Sequence, residues 1–158
     1  MDFLVNELAA GLPDPTQAAR LALRLLTAIT VGAIIGFERE QTGKSAGLRT
    51  HMMVALSSAL FVLGPIEAGL APDDVSRVIQ GVAAGIGFIG AGAILKRKDE
   101  SEIYGLTTAA GIWFTAAAGL SAGLGRLVLA LGAAILAWVI LRLFERIDAR
   151  VAPANHNR

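Results

Sequence analysis

Five long apolar stretches follow one another along the chain, and charged residues or turn formers separate each from the next. They cover residues 21–37, 52–70, 78–95, 106–124 and 127–141. A bilayer core of about 30 Å needs roughly 20 helical residues, so the shorter stretches need flanking residues to span it. The pattern predicts an all-α integral membrane protein, a bundle of five transmembrane helices. With their flanks, the predicted spans are residues 18–37, 50–70, 78–95, 106–124 and 126–145.

The two ends of the chain differ from these spans. A short apolar stripe precedes Pro13 and Pro15, which predicts that residues 1–15 lie at the membrane interface. Acidic residues stand where a secretory signal carries basic ones, so no cleaved peptide is expected. Residues 148–158 are polar and are predicted to form a cytoplasmic tail.

Composition agrees with a lipid environment. Apolar residues make up 54% of the chain, charged residues only 17%, and the mean hydropathy is +0.61, which is too apolar for an ordinary soluble domain. The lipid bilayer is therefore the expected surrounding. A net charge of +1 argues against a nucleic-acid partner. The absence of cysteine excludes disulfides and thiolate catalysis.

The distribution of Lys and Arg predicts the orientation of the spans. If the N-terminus lies outside, ten basic residues fall on the cytoplasmic side and four on the outer side. The ten are Arg39, Lys44, Arg49, Lys96, Arg97, Lys98, Arg142, Arg146, Arg150 and Arg158. The four are Arg20, Arg24, Arg77 and Arg126. This bias predicts a cytoplasmic C-terminus.

The segment GIGFIGAGAIL over residues 85–95 begins with the spacing G-x-G-x-x-G of a dinucleotide-binding loop. That loop needs a preceding strand, a following helix and an acid about 20 residues later, and none of the three is found. Two other interpretations remain open for Gly85, Gly87, Gly90 and Gly92. They either permit close helix packing, or the helix unwinds there and its carbonyls line an ion path.

A possible internal repeat relates the first two spans to the next two. GLRT at residues 47–50 and GLTT at 105–108 stand 58 residues apart, and at the same offset Gly32 corresponds to Gly90. The match predicts a duplicated two-helix hairpin, with the copies related by an axis along the membrane normal. Chance matching in a sequence rich in alanine and glycine is the alternative.

Charged and polar residues gather at the inner end of the first hairpin, and we expect function there. The candidate cluster consists of Glu38, Arg39, Arg49, Thr50 and His51, with Thr107 and Thr108 as the repeat-related positions. We hypothesise an ion pair between Glu38 and Arg49; a solvated basic loop is the alternative. His51 is expected to be a capping or interfacial residue.

No cofactor is predicted, although magnesium is a possible ligand. Magnesium prefers oxygen ligands and keeps several waters. The available carboxylates are Glu38 at the inner end and Glu67, Asp73 and Asp74 at the outer end. The sequence does not choose between these two ends.

Three segments carry a family resemblance: GFEREQTGKSAGLRTHMMVALSSALF, GIGFIGAGAIL and YGLTTAAGIWFTAAAGL. In order and spacing they resemble the membrane domain of the MgtC/SapB family, over residues 21–145. The resemblance implies a bacterial inner-membrane protein linked to magnesium homeostasis, acid resistance, stress response and virulence. It also implies modulation of a membrane partner such as the ATP synthase membrane sector. The chain looks closer to short SapB-type members, because the longer members continue into a cytoplasmic ACT-like domain.

Three classes of function follow from these observations. A regulator of ion and proton homeostasis that acts through a membrane partner, as a homo-oligomer such as a dimer, is the favoured hypothesis. An ion transporter or channel, for magnesium or another cation, with a path along residues 85–92 is the alternative. A membrane enzyme is not expected, because the sequence offers no set of nucleophile, base and orienting residue.

Overall fold

The computed structural model describes Met1, residues 13–96 and residues 103–151. Within these residues the chain forms five helices and one short antiparallel hairpin. The helices are α1 (Pro15–Gln41), α2 (Leu48–Glu67), α3 (Pro72–Gly92), α4 (Leu106–Gly123) and α5 (Leu127–Val151), and the strands are β1 (Leu95–Lys96) and β2 (Ile103–Tyr104). The predicted all-α bundle of five helices is confirmed. Four helices, α1, α2, α3 and the part Leu127–Phe144 of α5, are long and apolar enough to cross a membrane.

Helix α4 occupies the centre of the bundle, in contact with each of the other four helices. More than half of its 18 residues are buried, and most of the buried ones are glycine, alanine or threonine. A side chain at Gly119 would overlap the backbone of Ala55 on α2, and a Cβ at Gly123 would lie 2.7 Å from the carbonyl oxygen of Ala59. These glycines therefore allow α4 to approach α2 at backbone distance.

The contact between α1 and α2 is equally close. A Cβ at Gly32 would lie 2.5 Å from the carbonyl oxygen of His51, and a Cβ at Gly36 would lie 2.7 Å from the Cα of Leu48. Only glycine leaves room for the two backbones to meet at these positions. The apolar stripe of α1, which includes Val31 and Ile35, then packs against alanines of α4 and α5.

Helix α3 begins earlier and ends earlier than the predicted span of residues 78–95. Pro72 stands at its start and Asp73 and Asp74 lie in its first turn, a combination that favours a helix N-terminus. The helix ends at Gly92, and Leu95 pairs with Tyr104 in the β1–β2 hairpin. The hairpin was not predicted, because two-residue strands leave no periodic pattern in the sequence.

The glycines of α3 differ in their burial and in the residues that they face. The helix is continuous to Gly92, so the structure does not show the local unwinding that was one of the two interpretations. Gly90 is buried and faces Ala109 of α4, with its Cβ position 3.7 Å from the Ala109 Cβ. Gly85, Gly87 and Gly92 are exposed, and a Cβ there would meet no atom within 4 Å, so of these four glycines Gly90 is the one that packs against a described helix of the same chain.

Hydrogen bonds between helix ends establish how the helices alternate. Gln17 near the start of α1 donates to Glu67 at the end of α2, and Arg142 of α5 donates to Gln41 at the end of α1 over 2.7 Å. Helices α1 and α5 therefore run in the same direction, as five crossings require. The predicted interfacial segment lies almost wholly outside the described residues, as do residues 152–158 of the predicted tail.

Candidate functional site

The loop over residues 42–47 folds the end of α1 onto the start of α2 and encloses three ionisable side chains. Glu38 and His51 are fully buried and Arg39 is 2% exposed. Glu38 lies on the same helical stripe as Val31 and Ile35, which faces the centre of the bundle. The buried stripe of α1 thus changes from apolar to charged in its last turns.

Glu38 forms its ion pair with Arg39, whose Nε donates to Oε2 of the carboxylate. The hypothesised pair between Glu38 and Arg49 is therefore wrong. Helix α2 begins at Leu48 and turns the face of His51 and Ala55 inward, so Arg49 and Thr50 point away from the bundle and are exposed. Because the two charges are opposite and adjacent, the buried pair of Glu38 and Arg39 has no net charge.

His51 is an interior residue rather than the capping or interfacial residue that the sequence predicted. Its Nδ1 lies 2.9 Å from the carbonyl oxygen of Gly47. A carbonyl only accepts, so Nδ1 carries the proton and Nε2 of the neutral ring is an acceptor. Nε2 faces α4, where a Cβ at Gly111 would lie 3.5 Å away. The imidazole therefore fills the space between the start of α2 and α4.

Two acceptor atoms of the cluster have no hydrogen-bond partner within the described part of the chain. They are Nε2 of His51 and Oε1 of Glu38, and both are buried. An unsatisfied buried polar atom costs about 1–3 kcal/mol, so a native structure keeps such atoms for a reason. Chemically, the pair of acceptors can receive a proton, a water or another small donor.

The structure does not bring the candidate magnesium ligands together as a group of three within the residues that it describes. Among the described residues, no three His, Cys, Asp or Glu side chains come together. Glu67 accepts from Gln17, and Asp74 lies 3.6 Å from Arg77 at an exposed position. Glu38 offers a single unpaired oxygen.

The two threonines at the start of α4 lie apart from this buried cluster. Thr108 is 3% exposed and Thr107 is exposed, and both line a separate pocket beside Lys44. The predicted cluster therefore divides into two parts. One holds Glu38, Arg39 and His51, and the other residues of the cluster lie apart from these three.

Glu40 belongs to the same charged segment at the end of α1, and its structural role was not predicted from the sequence. Its Oε2 accepts from the backbone N–H of Leu48 over 2.7 Å, and Gly47 leaves space for the carboxylate. No side chain at the N-cap position of α2 supplies this bond. The sequence contains a sign of this role. Gly47 has no side chain to cap the first N–H groups of α2, so another residue must supply the acceptor.

A groove of about 720 Å³ runs along the outside of the bundle between α2 and α3. Its lining is mostly apolar, with two serines, and consists of Met53, Val54, Ser57, Ser58, Phe61, Val78, Gly81, Val82, Gly85, Ile86 and Ile89. Gly81 and Gly85 belong to this lining, and no atom stands within 4 Å of a Cβ at either glycine. The groove therefore faces the surroundings of the bundle and not the buried charges.

Comparison with known proteins gives a consistent result. The profile described as the MgtC family matches residues 25–150. Protein SrpB of Synechococcus elongatus is 46% identical, with 81% of this chain and 76% of that protein covered. Putative magnesium transporter YhiD of Escherichia coli is 39% identical, with 89% and 68% covered. Protein MgtC of Salmonella typhimurium is 40% identical, with 72% of this chain and 48% of that protein covered.

No solved structure matches the chain. The family profile covers most of the sequence, and two relatives above 30% identity align with more than four fifths of it. The predicted resemblance is confirmed on these grounds. The chain belongs to the MgtC family.

Proposed function

We propose that this chain takes part in magnesium homeostasis as a regulator in the bacterial inner membrane, acting through a membrane partner. The role in magnesium homeostasis is supported by family membership and by the name of the relative YhiD, a putative magnesium transporter. In this proposal the N-terminus lies outside and the C-terminus in the cytoplasm, as the basic residues favour. The protein does not act as an enzyme.

The observation that carries the regulatory role is the close packing of α1, α2 and α4 among the described residues. Gly32 and Gly36 join the backbones of α1 and α2, and Gly119 and Gly123 join α2 and α4. Magnesium gives up its waters reluctantly, so a path for it needs space and oxygen ligands. The described helices offer neither at these contacts, and the charges near them neutralise each other in the Glu38–Arg39 pair.

The outer groove between α2 and α3 supplies the contact surface of the proposed regulator. The lining combines small residues with the exposed side chains of Met53, Phe61 and Ile89. Small residues let another helix approach closely in lipid, where dispersion contacts drive association. We propose that a transmembrane helix of the partner lies there, and the membrane sector of the ATP synthase is the candidate partner.

A second candidate function is ion transport, and one observation favours it. The two unpaired acceptors of Glu38 and His51 are features that intramembrane transport sites use. In this case the conducting path would have to form between copies of the chain or in another conformation.

Two experiments decide between these functions. Purified protein in liposomes should give no more magnesium flux, measured with a trapped magnesium-sensitive dye, than empty liposomes. Gly85→Trp, which fills the groove, should abolish co-purification of the partner and impair growth at low magnesium. Val128→Trp on the outer face of α5, where the residue is 87% exposed, is the matched control. Flux from the protein alone would support the transporter instead.

A further inference from the structure

The ring of His51 faces a small space on α4, where Gly111 is buried and has no side chain. A Cβ at Gly111 would lie 3.5 Å from Nε2 of His51, which is the one described atom within 4 Å outside the adjacent residues and backbone of α4 itself. At Gly119 of the same helix, a Cβ would instead lie 2.3 Å from the carbonyl oxygen of Ala55. The space beside Gly111 is therefore not filled by a neighbouring helix, and it has room for a group the size of a methyl.

The hydrogen-bond donors beside this space already have acceptors. Nδ1 of His51 donates to a backbone carbonyl oxygen, and Nε of Arg39 donates to Oε2 of Glu38. The hydroxyl of Thr115, one turn further along α4, donates to the carbonyl oxygen of Gly111 over 2.8 Å. Nε2 of His51 and Oε1 of Glu38 thus remain acceptors without a donor within the described part of the chain.

Both acceptors lie in one buried cluster. Glu38 and His51 are 0% exposed, and the charges of Glu38 and Arg39 act on the ring of His51. Burying an acceptor without a donor is costly, and folded proteins commonly satisfy such atoms with an ordered water. A water molecule is close in size to a methyl group, and its two O–H donors match the two acceptors.

The charge of the cluster favours a neutral occupant. The Glu38–Arg39 pair has no net charge, and the ring of His51 is neutral with its proton on Nδ1. The helices packed against this part of α2 add no compensating charge, because α4 contains no ionisable residue and those of α3 lie in its first two turns. A bound metal ion or ammonium ion would therefore leave a buried net charge, which is costly.

We propose that one water molecule binds between His51 and Gly111 as a structural part of the bundle. Its oxygen occupies the space that an alanine methyl group would take at residue 111, and its hydrogens are donated to Nε2 of His51 and Oε1 of Glu38. The water thereby joins α1, α2 and α4. It satisfies both acceptors without any transported ion, and the site is separate from the regulatory groove between α2 and α3.

The first test detects the water directly in the full chain in lipid bilayers. The protein is isotope-labelled at histidine, and magic-angle-spinning NMR measures magnetisation transfer from water protons to the ring nitrogens. His156→Gln removes the signals of the second histidine of the sequence, so the remaining signals belong to His51. We expect a neutral ring in which Nε2 carries no proton, with a cross-peak between Nε2 and a water of long residence time.

The second test displaces the water. Gly111→Ala places a methyl group 3.5 Å from Nε2, so it should abolish the cross-peak and leave the acceptors without a donor. We expect its thermal unfolding midpoint to fall by about 2–6 °C. Gly90→Ala is the matched control, because Gly90 is also buried in a helix and its Cβ would meet Ala109 at 3.7 Å. The control should keep the cross-peak and raise the midpoint slightly.

Absence of a water cross-peak at His51 in the wild-type chain would overturn the proposal. An undiminished cross-peak in Gly111→Ala would also overturn it, because the water would then lie elsewhere. If Gly111→Ala raised the midpoint as Gly90→Ala does, the space would be dry and the proposal wrong. A ring with protons on both nitrogens at neutral pH would assign a bound proton instead of a water. None of these outcomes bears on partner binding in the groove between α2 and α3, so the regulatory proposal is tested separately.

Discussion

The hairpins α1–α2 and α3–α4 each have a glycine of the first helix facing the second helix, but the distance between the two helices at that glycine differs. Gly32 meets His51 in the first, and Gly90 meets Ala109 in the second, and both members of the second pair stand 58 residues after those of the first. The recurrence of this contact supports the predicted duplication of a two-helix hairpin. The Cβ of the first glycine would lie 2.5 Å from backbone, whereas that of the second would lie 3.7 Å from a side chain.

The connecting ends of the two hairpins, where each pair of helices is joined, differ more than the contacts between the helices. The first ends in a loop over buried charges, and the second in a β-hairpin beside an open pocket. Thr50 is exposed while its counterpart Thr108 is buried. Arg97, the counterpart of Arg39, lies outside the described residues. The predicted repeat would thus keep the positions of the helix contacts, while the residues at the helix ends differ in chemistry.

The largest effect should come from breaking the close contact of the first hairpin. Gly32→Leu forces a branched side chain into the backbone of α2, and we expect a loss of more than about 3 kcal/mol and no folded protein in detergent. Gly87→Leu, which meets open space on α3, is the control and should retain a native elution profile. Monodisperse Gly32→Leu protein would show that the two backbones are not in contact.

The next effect concerns the charges that the first hairpin encloses. Glu38→Gln and Arg39→Gln each leave one buried charge without its partner, so each should lower the free energy of unfolding by about 3–5 kcal/mol. The double variant should lose clearly less than the sum of the two. Arg49→Gln is exposed and should change stability by about 0.5 kcal/mol at most. Additive losses, measured by denaturant unfolding in detergent, would argue against the pair.

The sequence predicted the helices better than it predicted which way they face. The spans could be found because lipid requires long apolar helices, and α1, α2 and α4 match their predicted positions within about four residues. The pairing of Glu38 with Arg49 failed because it depends on the rotation of α2 about its own axis. Rotation is set by the glycine contacts with α1 and α4, which the sequence of a single helix does not contain.

The same physical reason explains the glycines of α3. Gly87 and Gly90 lie nearly one turn apart, yet one is exposed and the other faces α4. Helical periodicity identifies the residues that share a face, but which face packs against the bundle follows from the neighbouring helices. The pocket at Lys44 and Thr108 joins residues more than 60 positions apart for a similar reason.

The smallest expected effect is that of Gly90→Ala, and the same substitution at Gly32 should have an effect of the opposite sign. Gly90→Ala places a methyl group at ordinary van der Waals distance from Ala109, so the new contact is tolerated. Alanine also loses less backbone freedom on folding than glycine inside a helix, which stabilises by about 0.5–1 kcal/mol. We therefore expect Gly90→Ala to raise the thermal unfolding midpoint slightly and Gly32→Ala to lower it. If both substitutions lowered the midpoint, α3 would lie closer to α4 than the 3.7 Å contact indicates, and the two hairpins would be equally tight.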